Sequence, residues 1–150
     1  MTENAETLAR KKWMGTLANA PGAFLSEIWA TAGLAQNFVW LRAPEVGAVM
    51  VRGATGGTGA AFNLGEMTVT RCSLQIESGP VGHAYIAGRN RDKAQIAAQC
   101  DALMQTGSAP VVQGRILDLI EAKITSERQK TAAKAAATKV DFFTLVRGDD

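Results

Sequence analysis

Phe38-Val39-Trp40-Leu41-Arg42-Ala43-Pro44-Glu45-Val46-Gly47-Ala48-Val49-Met50-Val51-Arg52 is the stretch whose reading decides the fold. Its first five residues are rich in β-formers, Ala43-Pro44-Glu45 reads as a turn, and Val46 to Arg52 reads as a second strand. In that second strand Val46, Ala48 and Met50 share one face while Val49 and Val51 lie on the other. A strand apolar on both faces is expected in the centre of a sheet. Downstream, Gly65 to Ile76 begins with Met67 and Val69 on one face and ends with Cys72, Leu74 and Ile76 on the other. The switch predicts a β-bulge or a two-sided strand near Thr70-Arg71. Ser78-Gly79-Pro80 is a turn, and Val81 to Ala87 completes a hairpin as the fourth strand.

Helices flank these strands. Ala5, Ala9, Trp13 and Leu17 recur every four residues up to the turn signal Asn19-Ala20-Pro21-Gly22. Phe24, Leu25, Ile28 and Trp29 form the stripe of a second helix, with Gly33 as its stop. Beyond the strands, Asn90 can cap a helix running to about Gln105, with Ile96, Cys100, Leu103 and Met104 on one stripe. Thr106-Gly107-Ser108-Ala109-Pro110 breaks it. Val112, Ile116, Ile120 and Ile124, with Leu117, then define a helix continuing into the polar, Ala-rich segment Thr125 to Ala137. The order αα-ββββ-αα predicts an α+β single domain over residues 1–150. Its mostly antiparallel four-stranded sheet would pack with two N-terminal and two C-terminal helices.

The 150 residues are 47% hydrophobic with a formal net charge of +2. That suffices for one core and is too little charge to argue for nucleic acid or an anionic membrane. No apolar run approaches the ~18 residues needed to cross a bilayer. The acidic start Met1-Thr2-Glu3-Asn4-Ala5-Glu6 has no basic n-region, so a soluble, cytoplasmic protein is expected. Cys72, Cys100 and the lone His83 cannot supply the four or so soft ligands of a zinc or iron–sulfur site. No metal is expected, and the two thiols read as small buried hydrophobes.

Five of the fifteen glycines fall between Gly53 and Gly65. The segment lacks the Lys-Ser/Thr ending of a Walker A loop, and Phe62 sits where a GxGxxG fingerprint needs its third glycine. A structural loop between strands is the first expectation. The alternative is an anion nest at Gly56, Gly57, Thr58 and Gly59, joined by Arg71 and Arg89 as phosphate or carboxylate receptors. Against that, Arg71 can be an edge residue and Arg89 and Arg91 solvated loop charges. A Cys72–His83 pair across the hairpin is geometrically conceivable, but nothing local activates the thiol. With no GxSxG, no HExxH and no paired-carboxylate pattern, the chain is poorly equipped as a self-sufficient enzyme.

Phe142, Phe143, Leu145, Val146 and Arg147 close the chain with two of its five phenylalanines. Each Phe can bury ~150 Å² or more, so an ordered tail must dock on the chain's own core, on a partner or on a second copy.

Gly56-Gly57-Thr58-Gly59 with Phe62, Gly65-Glu66-Met67-Thr68-Val69-Thr70-Arg71, Gly82-His83-Ala84-Tyr85 with Gly88-Arg89, Asp101-Ala102-Leu103-Met104-Gln105 and Val140-Asp141-Phe142-Phe143-Thr144-Leu145-Val146-Arg147-Gly148-Asp149 follow in this order. Together they resemble the PhnG family of phosphonate-metabolism proteins, from Arg10-Lys11-Lys12-Trp13-Met14 to the end of the chain. The resemblance implies a subunit of the bacterial carbon–phosphorus lyase machinery, acting with PhnH, PhnI, PhnJ and PhnL type subunits in a hetero-oligomer. It implies a part in making α-D-ribose 1-methylphosphonate 5-triphosphate, where methylphosphonate displaces adenine from MgATP. MgATP would be a substrate of the complex, with no cofactor held by this chain and no catalysis by the chain alone. Residues 125–150 of the PhnG-like domain would extend to a partner, with Phe142, Phe143, Leu145, Val146 and Arg147 at the interface. The alternative is a stand-alone binder of a phosphorylated small molecule through the glycine-rich loop.

Overall fold

A computed structural model describes residues 4–138. Helix α1 (Ala5–Asn19) starts at Asn4, whose side chain accepts from the Glu6 N–H, and helix α2 (Gly22–Ala32) ends at Gly33 with φ 62°. That φ is left-handed backbone, which glycine adopts without a Cβ penalty. Three strands follow: β1 (Phe38–Ala54), β2 (Ala61–Ile76) and β3 (Val81–Ala87), antiparallel in the order β1-β2-β3. Helix α3 (Arg91–Leu103) is capped by Asn90, which accepts the Lys93 N–H at 2.9 Å. The last helical stretch runs through α4 (Ala109–Val112), a π-helical turn at Gln113–Leu117 and α5 (Asp118–Ala137).

Among the described residues the sheet has three strands rather than the expected four. Phe38–Arg42 and Val46–Arg52 belong to one 17-residue strand, and Ala43-Pro44-Glu45 is no turn. The β1–β2 register shifts between Trp40 and Arg42 and again between Arg42 and Glu45, so bulges absorb the surplus residues. Proline has no N–H to give to a ladder and is tolerated on edge strands and at bulges. Here it meets both conditions, because β1 is an edge strand. The strand expected at the centre is therefore at the edge, and β2 occupies the centre. The switch along β2 is of the two-sided kind. Thr70, Cys72, Leu74 and Ile76 are buried towards the helices while Val69 is buried on the opposite face, and the β2–β3 register runs unbroken from Val69 to Gln75.

All the helices that build the core lie on one face of this sheet. Leu17, Leu25, Leu74, Ile86, Ile116, Leu117 and Ile120 are its largest fully buried apolar side chains, each contributing about 1.5–3 kcal/mol by leaving water. Helix α3 sits closest to the sheet. A Cβ on Gly82 would run into the Ala98 carbonyl oxygen and lie 2.8 Å from the Ala102 amide, and Ala94, Ala98 and Ala102 are fully buried. Small residues on both sides permit that approach.

Among the described residues β3 pairs only with Val69–Gln75. Beyond it β1 and β2 continue as a two-stranded arm, with Ala48 to Ala54 paired to Thr68 to Ala61. The glycine-rich segment is thus mostly hairpin, and its turn is confined to residues 55–60. Gly56 and Gly57 there adopt φ 62° and 82°. At the other end, residues 127–138 of α5 and its cap are exposed.

Candidate functional site

With helices on one face, the polar side chains of the other face pair among themselves. Arg71 on β2 is opposite Glu45 on β1 and donates to its Oε1 from Nη2 at 2.7 Å and from Nε at 2.9 Å. Arg42 donates to the same oxygen at 3.0 Å. The Arg71 hydrogen bond is the main reason the Glu45 carboxyl lies below the usual carboxylate range. Next along the sheet, Ser73 Oγ and His83 Nδ1 are 2.8 Å apart as direct cross-strand neighbours. Glu45, Val46, Gly47, Ala48, Val49, Val69, Arg71 and Tyr85 line a groove of about 320 Å³ at the base of the arm.

The glycine turn and the two arginines do not converge on one pocket. Ten residues of β2 separate Ala61, beside the turn, from Arg71, which is about 33 Å of strand. Arg89 is exposed in the connection to α3, after Gly88, whose N–H donates to the Thr68 carbonyl at 2.8 Å. Thr68 is seven residues from Ala61, about 23 Å along the arm. Phe142, Phe143, Leu145, Val146 and Arg147 lie outside the described residues.

Cys72 and His83 are not brought together. His83 is exposed on the helix-free face, whereas Cys72 turns into the core, where its Sγ donates to the Ala94 carbonyl at 3.3 Å. Burial pushes the Cys72 thiol up to about 11 and the Cys100 thiol up to about 12. Neither is an available nucleophile. Among the described residues no group of three or more His, Cys, Asp or Glu is placed to hold a metal ion, and no helix is long and apolar enough to cross a membrane.

One polar centre escaped the sequence reading. Asp101 on α3 is fully buried and accepts four hydrogen bonds. Arg10 donates from Nε at 3.1 Å and from Nη2 at 2.7 Å, Trp13 from Nε1 at 2.8 Å, and the His83 backbone N–H at 2.8 Å. Arg10 Nη2 also reaches the Val81 carbonyl at 3.2 Å. A buried carboxylate is tolerable only when its oxygens are satisfied in this way. The centre ties α1 and α3 to β3 and sets the strand carrying His83 and Tyr85. An acid set among Ala94, Ala97, Ala98 and Ala102 is the signal that could have revealed it.

The arrangement therefore offers an open sheet face and an arm, with no activated nucleophile on either. The family model for the phosphonate metabolism protein PhnG matches residues 8–148. The alpha-D-ribose 1-methylphosphonate 5-triphosphate synthase subunit PhnG of Rhizobium meliloti (strain 1021) is 38% identical over 149 residues, covering 99% of this chain and 96% of that protein.

Proposed function

The chain belongs to the PhnG family of phosphonate-metabolism proteins, and from that membership we propose that it is a subunit of an α-D-ribose 1-methylphosphonate 5-triphosphate synthase. The observation that carries this reading is the end-to-end match to a protein of that name, with 99% of this chain covered. The chain is an accessory and scaffolding subunit in a hetero-oligomer with PhnH, PhnI, PhnJ and PhnL type chains. Partner subunits supply the groups that release adenine from MgATP and join the phosphonate to the ribose carbon. The chain's C-terminal segment, with Phe142, Phe143, Leu145, Val146 and Arg147, contributes to the interface. Arg89, exposed before α3, faces a phosphorylated ligand.

Co-expression with the other subunits, followed by native mass spectrometry and a product assay, tests the proposal. A hetero-complex containing this chain, whose synthesis of the ribose phosphonate triphosphate stops when the chain is left out, is the expected result. A chain that stays apart from those subunits, and whose omission leaves synthesis intact, overturns it.

A further inference from the structure

The β1–β2 arm has two unlike faces. Gly47, Val49, Val51 and Gly53 alternate onto one face of β1 and are opposite Val69, Met67, Gly65 and Phe62. Leu64, the surplus residue where the register shifts, lies over Gly53, with Cδ1 2.6 Å from where a Cβ on that glycine would be. On the other face Ala48, Met50 and Arg52 are opposite Thr68, Glu66 and Asn63. One face is thus uncharged and almost wholly apolar, and the other carries the charges. Face alternation continues down the strands, so the apolar side of the arm is continuous with the helix-free face of the sheet.

Among the described residues, most of that face beyond Val69 is left in water. Met67 is 43% exposed, Phe62 45% and Leu64 63%. A two-stranded hairpin is marginal in water by itself, and apolar side chains gathered on one side mark a binding surface. Edge strands left free are ordinarily protected by charge, yet Val46 to Val51 on the edge strand carry none.

We propose that this apolar face of the arm, from Tyr85 at its base to Phe62 at its tip, is the seat of another subunit of the synthase, an inference that rests on the reading above. Charge at the base describes the occupant. Arg42 and Arg71 share one carboxylate, Glu45, which leaves one positive charge in excess. The occupant is an uncharged apolar layer with a carboxylate where it meets these arginines. A second copy of this chain fits less well, because the acid it would bring on this face is Glu45, already held by two arginines. Glycines 47 and 65, where a Cβ would meet nothing within 4 Å, leave gaps beside Val69 and Met67, into which the occupant's own side chains pack.

The experiment uses the full chain co-expressed with the other synthase subunits, comparing Met67→Glu and Leu64→Glu with Glu66→Lys on the opposite face. The melting temperature of each isolated variant reports folding. Expected is a loss of hetero-complex of at least about tenfold for the two apolar-face variants, with unchanged melting and with Glu66→Lys assembling as the parent does. A photo-crosslinker at position 64 is expected to capture a synthase subunit. Normal assembly of Met67→Glu and Leu64→Glu overturns the proposal. So does a homodimer of the isolated chain that Met67→Glu dissolves while hetero-assembly persists, since that makes a second copy the occupant. If the parent chain itself fails to assemble, the subunit reading fails rather than the choice of surface.

Discussion

Arg10 and Asp101, 91 positions apart, are joined by two hydrogen bonds, from Nε to Oδ1 at 3.1 Å and from Nη2 to Oδ2 at 2.7 Å. Asp101 is fully buried and Arg10 a third exposed, so removing Arg10 leaves the buried charge without its cation, which costs about 3–5 kcal/mol. Arg10→Ala is expected to lower the melting temperature by about 6–20 °C, at ~2–4 °C per kcal/mol for a domain of this size. Trp13→Phe removes one donor and keeps an aromatic ring, though a smaller one, so a smaller loss of about 1–3 kcal/mol is expected. Thermal melts of both variants check the order; equal losses would mean that packing of Trp13, and not its N–H, holds α1.

Gly82→Ala tests the contact between sheet and helix. The new Cβ meets the Ala98 backbone oxygen, which cannot rotate away as a side chain could. Helix α3 must lift from β3, at a cost near the top of the about 1–3 kcal/mol range for overpacking. Gly107→Ala, where a Cβ meets nothing within 4 Å, is the comparison and is expected to melt within a degree or two of the parent.

The two buried thiols give the chain an alkaline limit. Both ordinarily titrate near 9, and burial raises Cys72 to about 11 and Cys100 to about 12. The folded chain keeps protons that the unfolded chain has released, so this stability is full below about pH 9 and is lost as pH rises through 11 and 12. Lys93, lowered by burial, acts in the opposite sense on the way up to its unfolded value. Urea midpoints are expected to fall steadily above pH 9, and Cys72→Ala with Cys100→Ala to flatten that fall. The same steepness in the double variant would assign the effect to other groups.

Sequence pattern reached the helices because their signals are local. Asn90 caps α3 and Gly33 closes α2, each through its own backbone or a neighbour three residues away. The β1 strand was misread for an equally physical reason. Pro44 carries the same composition signal in a turn as in a bulge on an edge, and only the partner strand's register distinguishes them. Central and edge strands were confused likewise, since the second apolar face of Val46–Arg52 belongs to an arm and not to a covered layer. Asp101 was beyond reach because three of its donors, on Arg10 and Trp13, lie 88 to 91 positions away. The motif residues that carried the family resemblance were legible without any of this geometry.

For the C-terminal segment, Phe142→Ala with Phe143→Ala is expected to weaken hetero-assembly and to leave the melting of the isolated chain unchanged. Native mass spectrometry and a melt decide between the two homes for these rings. A fall in melting temperature with normal assembly would put them in the chain's own core.

Arg89→Ala is expected to slow the synthase step of the assembled complex while assembly stays intact. Arg71→Ala at a pair already bridged by Glu45 is expected to alter assembly more than turnover. Steady-state rates on purified complexes check both, and normal turnover with Arg89→Ala would leave it a solvated charge.

The Arg10–Asp101 link also sets an order of events during translation. Arg10 leaves the ribosome 91 residues ahead of its partner, a wait of about 5–20 s at ~5–20 residues/s. Through that interval Trp13 and Leu17 have neither α3 nor β3 to rest on, so α1 emerges with these apolar side chains uncovered and open to chaperones. Slow codons between the segments encoding α1 and α3 would lengthen that window and lower the yield of folded chain without changing a single residue.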